Sequence, residues 1–200
     1  MKLGAFVMPS HPPERALLDG YRWDLEQLVT LDRLGFHEAW IGISLNPAHT
    51  ASHWTSIEAG AARSGREPDR REWRLVREVY VAGTDDESQR RAREGAMGRC
   101  WREYLRPFYV GSGMGPQFLA HPSDAVEKLD VEYLIEHSWF VGSPQTVVDK
   151  IAALQRHTGG FGGLLIMLYD FSSEPGWWDE SLQRLVEEVM PHFQGAQPAG

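Results

Sequence analysis

Short apolar segments alternate with helix-forming segments along the whole chain, and this alternation limits the fold more than any other feature. The predicted strands are Leu3–Met8, Ala39–Leu45, Trp73–Ala82 and Gly162–Asp170. Alternating strands and helices are typical of a parallel sheet with right-handed crossovers. Closing such a sheet into a barrel takes about eight strands. The sequence therefore predicts an α/β fold with about four parallel strands and flanking helices.

The helices between these strands carry recognisable start and stop signals. Thr84 followed by Glu87 is a capping pattern, and Ser143–Pro144 places proline at the first helical position. The apolar spacing also predicts a helix before Gly35. The remaining helices are expected from Asn46 or Thr50 to Gly65, from Thr84 to about Leu105, from Ser143 to about Thr158, and from Glu180 to His192.

An open sheet of four strands leaves two unpaired edges and one uncovered apolar face. We favour a homodimer as the solution, with Trp177 or Trp178 as contact anchors. Irregular segments such as Tyr133–Phe140 closing the fold, or a compact open monomer, are the alternatives. Arg77 and Glu78 are neighbours in one strand and alternate faces, so one of them points inward or lies at an edge. We expect edge exposure.

Charge and cysteine content exclude several functions. The chain has 20 basic and 28 acidic residues, a net charge of −8, which argues against a nucleic-acid partner. Its single cysteine, Cys100, cannot form an internal disulfide, which favours a reducing cytoplasm. The apolar run before Pro9 is too short for a signal peptide or membrane span. His49 and His53 lack a third ligand, so we predict no metal site.

The active site of a parallel β/α fold lies at the carboxyl ends of its strands. His11, in the loop after the first strand, is the candidate acid or base, since imidazole titrates near neutrality. A surface histidine is the alternative. Asp170 is a candidate for orienting a histidine or a substrate, or else a turn former. An apolar cleft is expected there, whose predicted lining and polar residues are Met8, Ser10, Ser44, Leu45, Asn46, Trp139 and Tyr169.

Five segments together resemble one enzyme family: MPSHPP, LGFHEAWIG, LVREVYVAGTDDES, WREYL and WFVGSPQTVVDKI. They are similar to bacterial-luciferase-like, flavin-dependent monooxygenases of the type that oxidises limonene. The resemblance implies a single truncated (β/α) barrel domain over 1–200. Residues 1–43 would supply two strands and a helix, 44–193 the C-terminal barrel part and 194–200 a frayed tail, with a large internal deletion near Gly42–Ser44.

The resemblance also implies chemistry. Family members bind reduced FMN from a separate reductase and insert oxygen through a flavin peroxide. Trp101 and Arg102 would lie near the pocket mouth, where an arginine pairs with a phosphate or carboxylate. We expect an FMN-dependent monooxygenase acting on a hydrophobic terpenoid or polyketide. The alternatives are a flavin-independent cyclase or isomerase and a non-catalytic partner of a full-length paralogue.

Overall fold

The computed structural model describes residues 4–7, 38–41, 47–167, 169, 171 and 173–193. The chain divides into two compact units, Met1–Ile43 and Ser44–Gly200. The prediction of one domain over 1–200, with a frayed tail at 194–200, stays a prediction.

The first unit contains two short parallel strands, β1 (Gly4–Val7) and β2 (Glu38–Ile41). They pair in register, with Gly4 opposite Glu38 and Val7 opposite Ile41. Both strands were predicted from their apolar runs. Parallel pairing of the two is the arrangement that strand–helix alternation favours.

The second unit is built around the extended segment 73–82. It carries β3 (Arg74–Arg77) and β4 (Val79–Val81), which pair in parallel with β6 (Gly163–Ile166) and β5 (Phe140–Gly142) respectively. The carbonyl of Arg77 accepts from Met167 N, next to β6, and the carbonyl of Glu78 accepts from Phe140 N, in β5. Successive peptide groups of an extended strand face opposite sides. Segment 73–82 therefore lies between β5 and β6.

Helices surround these strands, and their bounds are as follows. The α-helices are α1 (Pro47–Arg63), α2 (Asp85–Glu94), α3 (Ala96–Cys100), α4 (Arg106–Gly111), α5 (Val131–His137), α6 (Pro144–Thr158) and α7 (Pro175–Arg184). Turns of π-helix follow α3 (Trp101–Leu105) and α7 (Leu185–Val189). Short 3₁₀ turns lie at Arg70–Glu72, Gly115–Phe118, Val126–Lys128 and Met190–Phe193.

The predicted caps are confirmed. The Thr84 side chain accepts a hydrogen bond from Glu87 N, and the Ser143 side chain accepts one from Thr146 N. At the far end of α6, Gly159 adopts a left-handed conformation with φ of 76°. Glycine tolerates that conformation without the steric cost that a Cβ atom adds.

Three predicted boundaries are wrong. Segment Tyr133–Phe140 is not irregular, because Asp130 caps α5 through Tyr133 N and the chain then enters β5. The last helix begins at Pro175, a favourable first-turn residue, instead of Glu180. The helix predicted from Thr84 to about Leu105 is interrupted at Gly95, whose backbone is extended, and its second part continues to Gly111.

A π-turn explains how that helix passes Pro107. In it the Arg106 N–H bonds to the carbonyl of Trp101, five residues back. Proline has no N–H and normally disrupts the i→i−4 ladder. A π-turn shifts the ladder by one residue, and such turns accommodate proline inside helices.

The hydrophobic core lies on one face of segment 73–82. Leu75, Val79 and Val81 point to this face and pack against residues of α1, α6 and the turn after α7. The packed partners include Trp54, Val147, Ile151, Leu154, Leu185 and Val189. This face is the outer one, covered by helices, and the even-numbered residues of the strand face the other way.

Ser88 joins β4 to β5 from helix α2. Its fully buried hydroxyl donates to the carbonyl of Tyr80 at 2.8 Å and accepts from Gly142 N at 3.0 Å. Ser88→Ala leaves that N–H without its acceptor, so we expect the free energy of unfolding to fall by about 1–3 kcal/mol. Ser64→Ala, at an exposed hydroxyl, is the control and should change it by under about 0.5 kcal/mol in urea denaturation. Equal losses in the two variants would contradict the bridging role.

Candidate functional site

The predicted site residues fall into two groups. Those outside the described residues are Met8, Ser10, His11, Ser44, Leu45, Asn46 and Asp170. Trp101, Arg102, Trp139 and Tyr169 are described. The roles assigned to the first group, including acid–base chemistry at His11 and orientation by Asp170, stay predictions.

Two oppositely charged neighbours in segment 73–82 are both buried. Arg77 is 2% exposed and Glu78 is 6% exposed, so the expectation of edge exposure is wrong. The strand is not at an edge, because β5 and β6 flank it. The two side chains point to opposite faces, Arg77 to the helix-covered outer face and Glu78 to the inner face.

The inner face carries a carboxylate–phenol pair, which we call the Glu78–Tyr169 pair. The Tyr169 hydroxyl donates to Glu78 Oε1 at 3.2 Å. Burial, and after it the charge of Glu78, hold the pKa of Tyr169 well above its ordinary value. Tyr169 therefore remains a neutral hydrogen-bond donor across the physiological pH range, and Glu78 is its acceptor.

Cys100 lies close enough to this pair to interact with it electrostatically. Burial raises the pKa of the Cys100 thiol, and the charge of Glu78 acts in the same direction. A thiol with a raised pKa is a poor nucleophile near neutrality. We therefore assign Cys100 no nucleophilic role.

An aromatic cluster packs around Trp101, which is 2% exposed. Its ring lies 5.6 Å from Phe118, 6.2 Å from Tyr109 and 6.4 Å from Trp139, the last nearly perpendicular. Trp139, next to β5, is also buried. The structure thus brings together Trp101 and Trp139, which the sequence placed in one pocket.

Arg102 points away from this cluster. Its side chain is exposed, and Nη1 donates to the carbonyl of Arg93 at 2.9 Å, at the end of α2. This contact ties the π-turn to the preceding helix. The predicted role of Arg102 at a pocket mouth has no contact that supports it.

The two tryptophans proposed as dimer anchors have different surroundings. Trp178 stacks on Phe171, with ring centroids 4.0 Å apart and planes 6° from parallel. Trp177 is 36% exposed, and the guanidinium groups of Arg90 and Arg91 lie 5.4 and 5.2 Å from its ring centroid. Trp177 is the more accessible of the two.

Among the hollows that the described residues form are two with charged linings, and neither fits FMN by itself. One, of about 480 Å³, is lined by Glu94 and Glu174, whose charges would repel a phosphate. The other, of about 200 Å³, lies beside Arg77 and Lys150. It is smaller than the roughly 300–1,000 Å³ of ordinary ligand pockets.

Sequence reasoning singled out Glu78 but missed its contact with Tyr169. It also missed Tyr109, whose ring packs against Trp101. The alternation of side chains along a strand indicated that Arg77 and Glu78 face opposite sides of the sheet. It did not indicate that both residues are buried. The missing information was β5, whose three residues are too few for a periodic signal.

The described residues include neither a helix suited to cross a membrane nor a group of side chains suited to hold a metal ion. None of their helices combines the length and apolar character needed to cross a membrane. Within the same ranges, no three His, Cys, Asp or Glu side chains are grouped to hold a metal ion.

The fold is similar to a solved flavoenzyme structure. This is the type II Baeyer–Villiger monooxygenase from Pseudomonas putida that is the oxygenating constituent of 3,6-diketocamphane monooxygenase, in complex with FMN. The TM-score is 0.71 at 29% sequence identity, over 94% of this chain and 47% of that one. No protein-family model matches the chain.

Sequence relatives agree with this likeness. 2,5-Diketocamphane 1,2-monooxygenase 1 of Pseudomonas putida is 34% identical over 142 residues, 70% of this chain and 39% of that protein. Limonene 1,2-monooxygenase of Rhodococcus erythropolis is 31% identical over 150 residues, 72% of this chain and 35% of that protein.

These relationships confirm the resemblance seen in the sequence: the chain belongs to the luciferase-like, flavin-dependent monooxygenases. Within that family its named relatives are the camphor-type and limonene monooxygenases of bacteria. The chain spans about two fifths of the length of these relatives. Its architecture is mixed α/β with a few parallel strands, and it is similar to part of a luciferase-like monooxygenase.

Proposed function

We propose that the chain is an FMN-dependent, luciferase-like monooxygenase or a close derivative, oxidising a hydrophobic small molecule of terpenoid or polyketide type. The observation that carries this proposal is the match of 94% of the chain, at a TM-score of 0.71, to an oxygenating constituent in complex with FMN. Bound FMN would supply the oxygen-activating chemistry. The chain's own residues enclose and orient the substrate.

The inner face offers what such a substrate needs. Trp101, Trp139 and Phe118 form an apolar wall, and Tyr169 presents a phenol that stays protonated. Pockets for apolar ligands combine such walls with a few polar groups that fix orientation. In this proposal the single hydroxyl proton of Tyr169, which bonds to Glu78 in the free protein, turns to a substrate oxygen when the substrate binds. Burial, together with the charge of Glu78, keeps the phenol neutral and therefore able to donate.

The truncated (β/α) barrel and the assembly are parts of the same proposal. Segment 73–82 with β5 and β6 would be the C-terminal remnant of the barrel, and a homodimer would cover the open sheet. Trp177 would contribute to that contact because it is exposed. A flavin reductase would supply reduced FMN, and a full-length paralogue is the alternative partner. The expected location is the cytoplasm.

Flavin binding is the first test. We expect purified protein to quench the fluorescence of added FMN in a saturable manner and, with reduced FMN and oxygen, to consume oxygen faster when a bicyclic ketone is present. Riboflavin, which lacks the phosphate, is the matched control and should bind more weakly. Absence of saturable binding by both oxidised and reduced FMN would overturn the proposal.

A flavin-independent enzyme is the second candidate. It is favoured by one observation, that neither hollow among the described residues fits FMN in size and charge. In that case the Glu78–Tyr169 pair would act on the substrate directly, as in a cyclisation or isomerisation. Turnover of a hydrophobic substrate without flavin would distinguish it from the first candidate. A non-catalytic partner would show neither flavin binding nor turnover.

A further inference from the structure

The smaller hollow, of about 200 Å³, lies on the outer side of the sheet at the amino end of β5. Residues of β3, α5 and α6 line it, and we call it the cationic hollow. Its lining includes Arg77, Glu136, His137, Trp139, Lys150 and His157. The monooxygenase proposal makes no use of any charged member of this group.

One buried and one half-buried cation, Arg77 and Lys150, share the hollow. The Arg77 guanidinium donates to the Thr50 hydroxyl at 2.9 Å and to the carbonyl of Val76 at 2.7 Å, both uncharged acceptors. The Lys150 ammonium donates to the carbonyls of Ile135 and Trp139 at 2.6 and 2.8 Å. These bonds satisfy some donors, but they do not neutralise either charge.

Within the described ranges, neither cation has a carboxylate at ion-pair distance. Glu136 lines the hollow but its side chain is 75% exposed, and it pairs at 3.8 Å with His137. Burying a cation without a counter-charge is costly, because the interior solvates charge poorly. The same cost makes the hollow attractive to an anion.

We propose that the cationic hollow is a binding site for a small free oxyanion, of the size and charge of inorganic phosphate. Guanidinium and ammonium donors are the groups that proteins use for phosphate and carboxylate oxygens. A volume of about 200 Å³ admits such an ion with a few waters but not a flavin nucleotide. The bound ion would link β3 to α6 through Arg77 and Lys150.

The site also has a characteristic pH response. Burial lowers the pKa of Lys150 to about 8, although Asp85 and Glu136 act in the opposite direction. Burial likewise lowers the pKa of Arg77, to about 10, although the charge of the neighbouring Glu78 acts in the opposite direction. Besides these groups, His137 and His157 face the hollow from α5 and α6. As the pH rises through about 8, Lys150 loses its proton and anion affinity should fall, while phosphate itself remains a dianion.

Phosphate titration of the purified chain tests the site. We expect saturable binding by calorimetry at about pH 7.5, and a rise of about 4 °C in the thermal midpoint at ten times the Kd. Sodium chloride at equal ionic strength should produce neither effect. Affinity should fall by about tenfold between about pH 7.5 and pH 9.5.

Variants separate binding from structure. Lys150→Gln should weaken phosphate binding by about tenfold or more and abolish the pH response. Lys128→Gln removes an exposed lysine and should keep the affinity within about twofold. If Lys150→Gln does not fold, His157→Ala at the exposed rim should still weaken binding by about threefold.

Three results would overturn the proposal. The first is no saturable heat with phosphate, and the second is equal binding by Lys150→Gln and Lys128→Gln. The third is competition between FMN and phosphate together with weaker FMN binding by Lys150→Gln, which would assign the hollow to the cofactor. Failure of FMN to bind leaves the phosphate result intact, so this site and the monooxygenase proposal fail separately.

Discussion

Replacing Trp101 by alanine is expected to lower the free energy of unfolding by about 3–5 kcal/mol. Its buried indole packs against Tyr109, Phe118 and Trp139, so truncation leaves a large cavity. The hydrogen bond from Trp101 Nε1 to the carbonyl of Leu129 is also lost. That carbonyl still accepts from Arg106 Nε at 2.8 Å, so the cost arises from packing.

Denaturant unfolding followed by far-ultraviolet circular dichroism measures this loss. The matched control is Tyr104→Ala, which removes another aromatic ring from the same π-turn. Tyr104 is 64% exposed, and its removal should change stability by less than about 0.5 kcal/mol. A loss under about 1 kcal/mol for Trp101→Ala would show that the aromatic cluster is not part of the folded core.

Glu78→Gln should reduce oxygenation turnover by about 100-fold while the protein stays folded. Glutamine keeps the shape of the side chain and an oxygen that can accept from Tyr169, but it removes the negative charge that, with burial, keeps the phenol neutral. We regard Glu78 as a positioning residue, since in the proposed site it acts through Tyr169. Tyr169→Phe should then show a similar loss, and the double variant should be no worse than either single one.

A spectroscopic measurement makes the same test without a substrate. Removing the Glu78 charge should lower the pKa of Tyr169, which ultraviolet absorbance of phenolate detects during alkaline titration. Glu127→Gln, at an exposed carboxylate, is the control and should alter neither turnover nor titration. Full turnover in both Glu78→Gln and Tyr169→Phe would exclude the pair from the site.

Local signals predicted much of the fold correctly. The caps at Thr84 and Ser143 were predictable because each depends on contacts within a few residues. The strands that begin at Gly4, Glu38 and Gly163 were predictable from the sequence because their apolar runs are continuous. Family membership followed from motifs spread over the chain, and the comparisons confirm it.

Features that depend on contacts distant in sequence were not predictable. β5 has only three residues and forms because Glu78 and Tyr80 offer it a pairing edge 60 residues earlier. The helix across Pro107 depends on a π-turn that no single-residue propensity signals. The two members of the Glu78–Tyr169 pair are 91 positions apart in the sequence, so only the folded chain brings them together.

The peptide bond between Arg77 and Glu78 joins two regions, the cationic hollow and the aromatic cluster, which also share Trp139. The carbonyl of Arg77 accepts from Met167 N on one side of the strand, and the carbonyl of Glu78 accepts from Phe140 N on the other side. One side chain enters the cationic hollow and the other enters the aromatic interior. A movement of this peptide bond would displace both side chains. The binding of an anion in the cationic hollow and the binding of a ligand inside the sheet would then be thermodynamically linked. Each ligand would change the affinity of the other by the same factor.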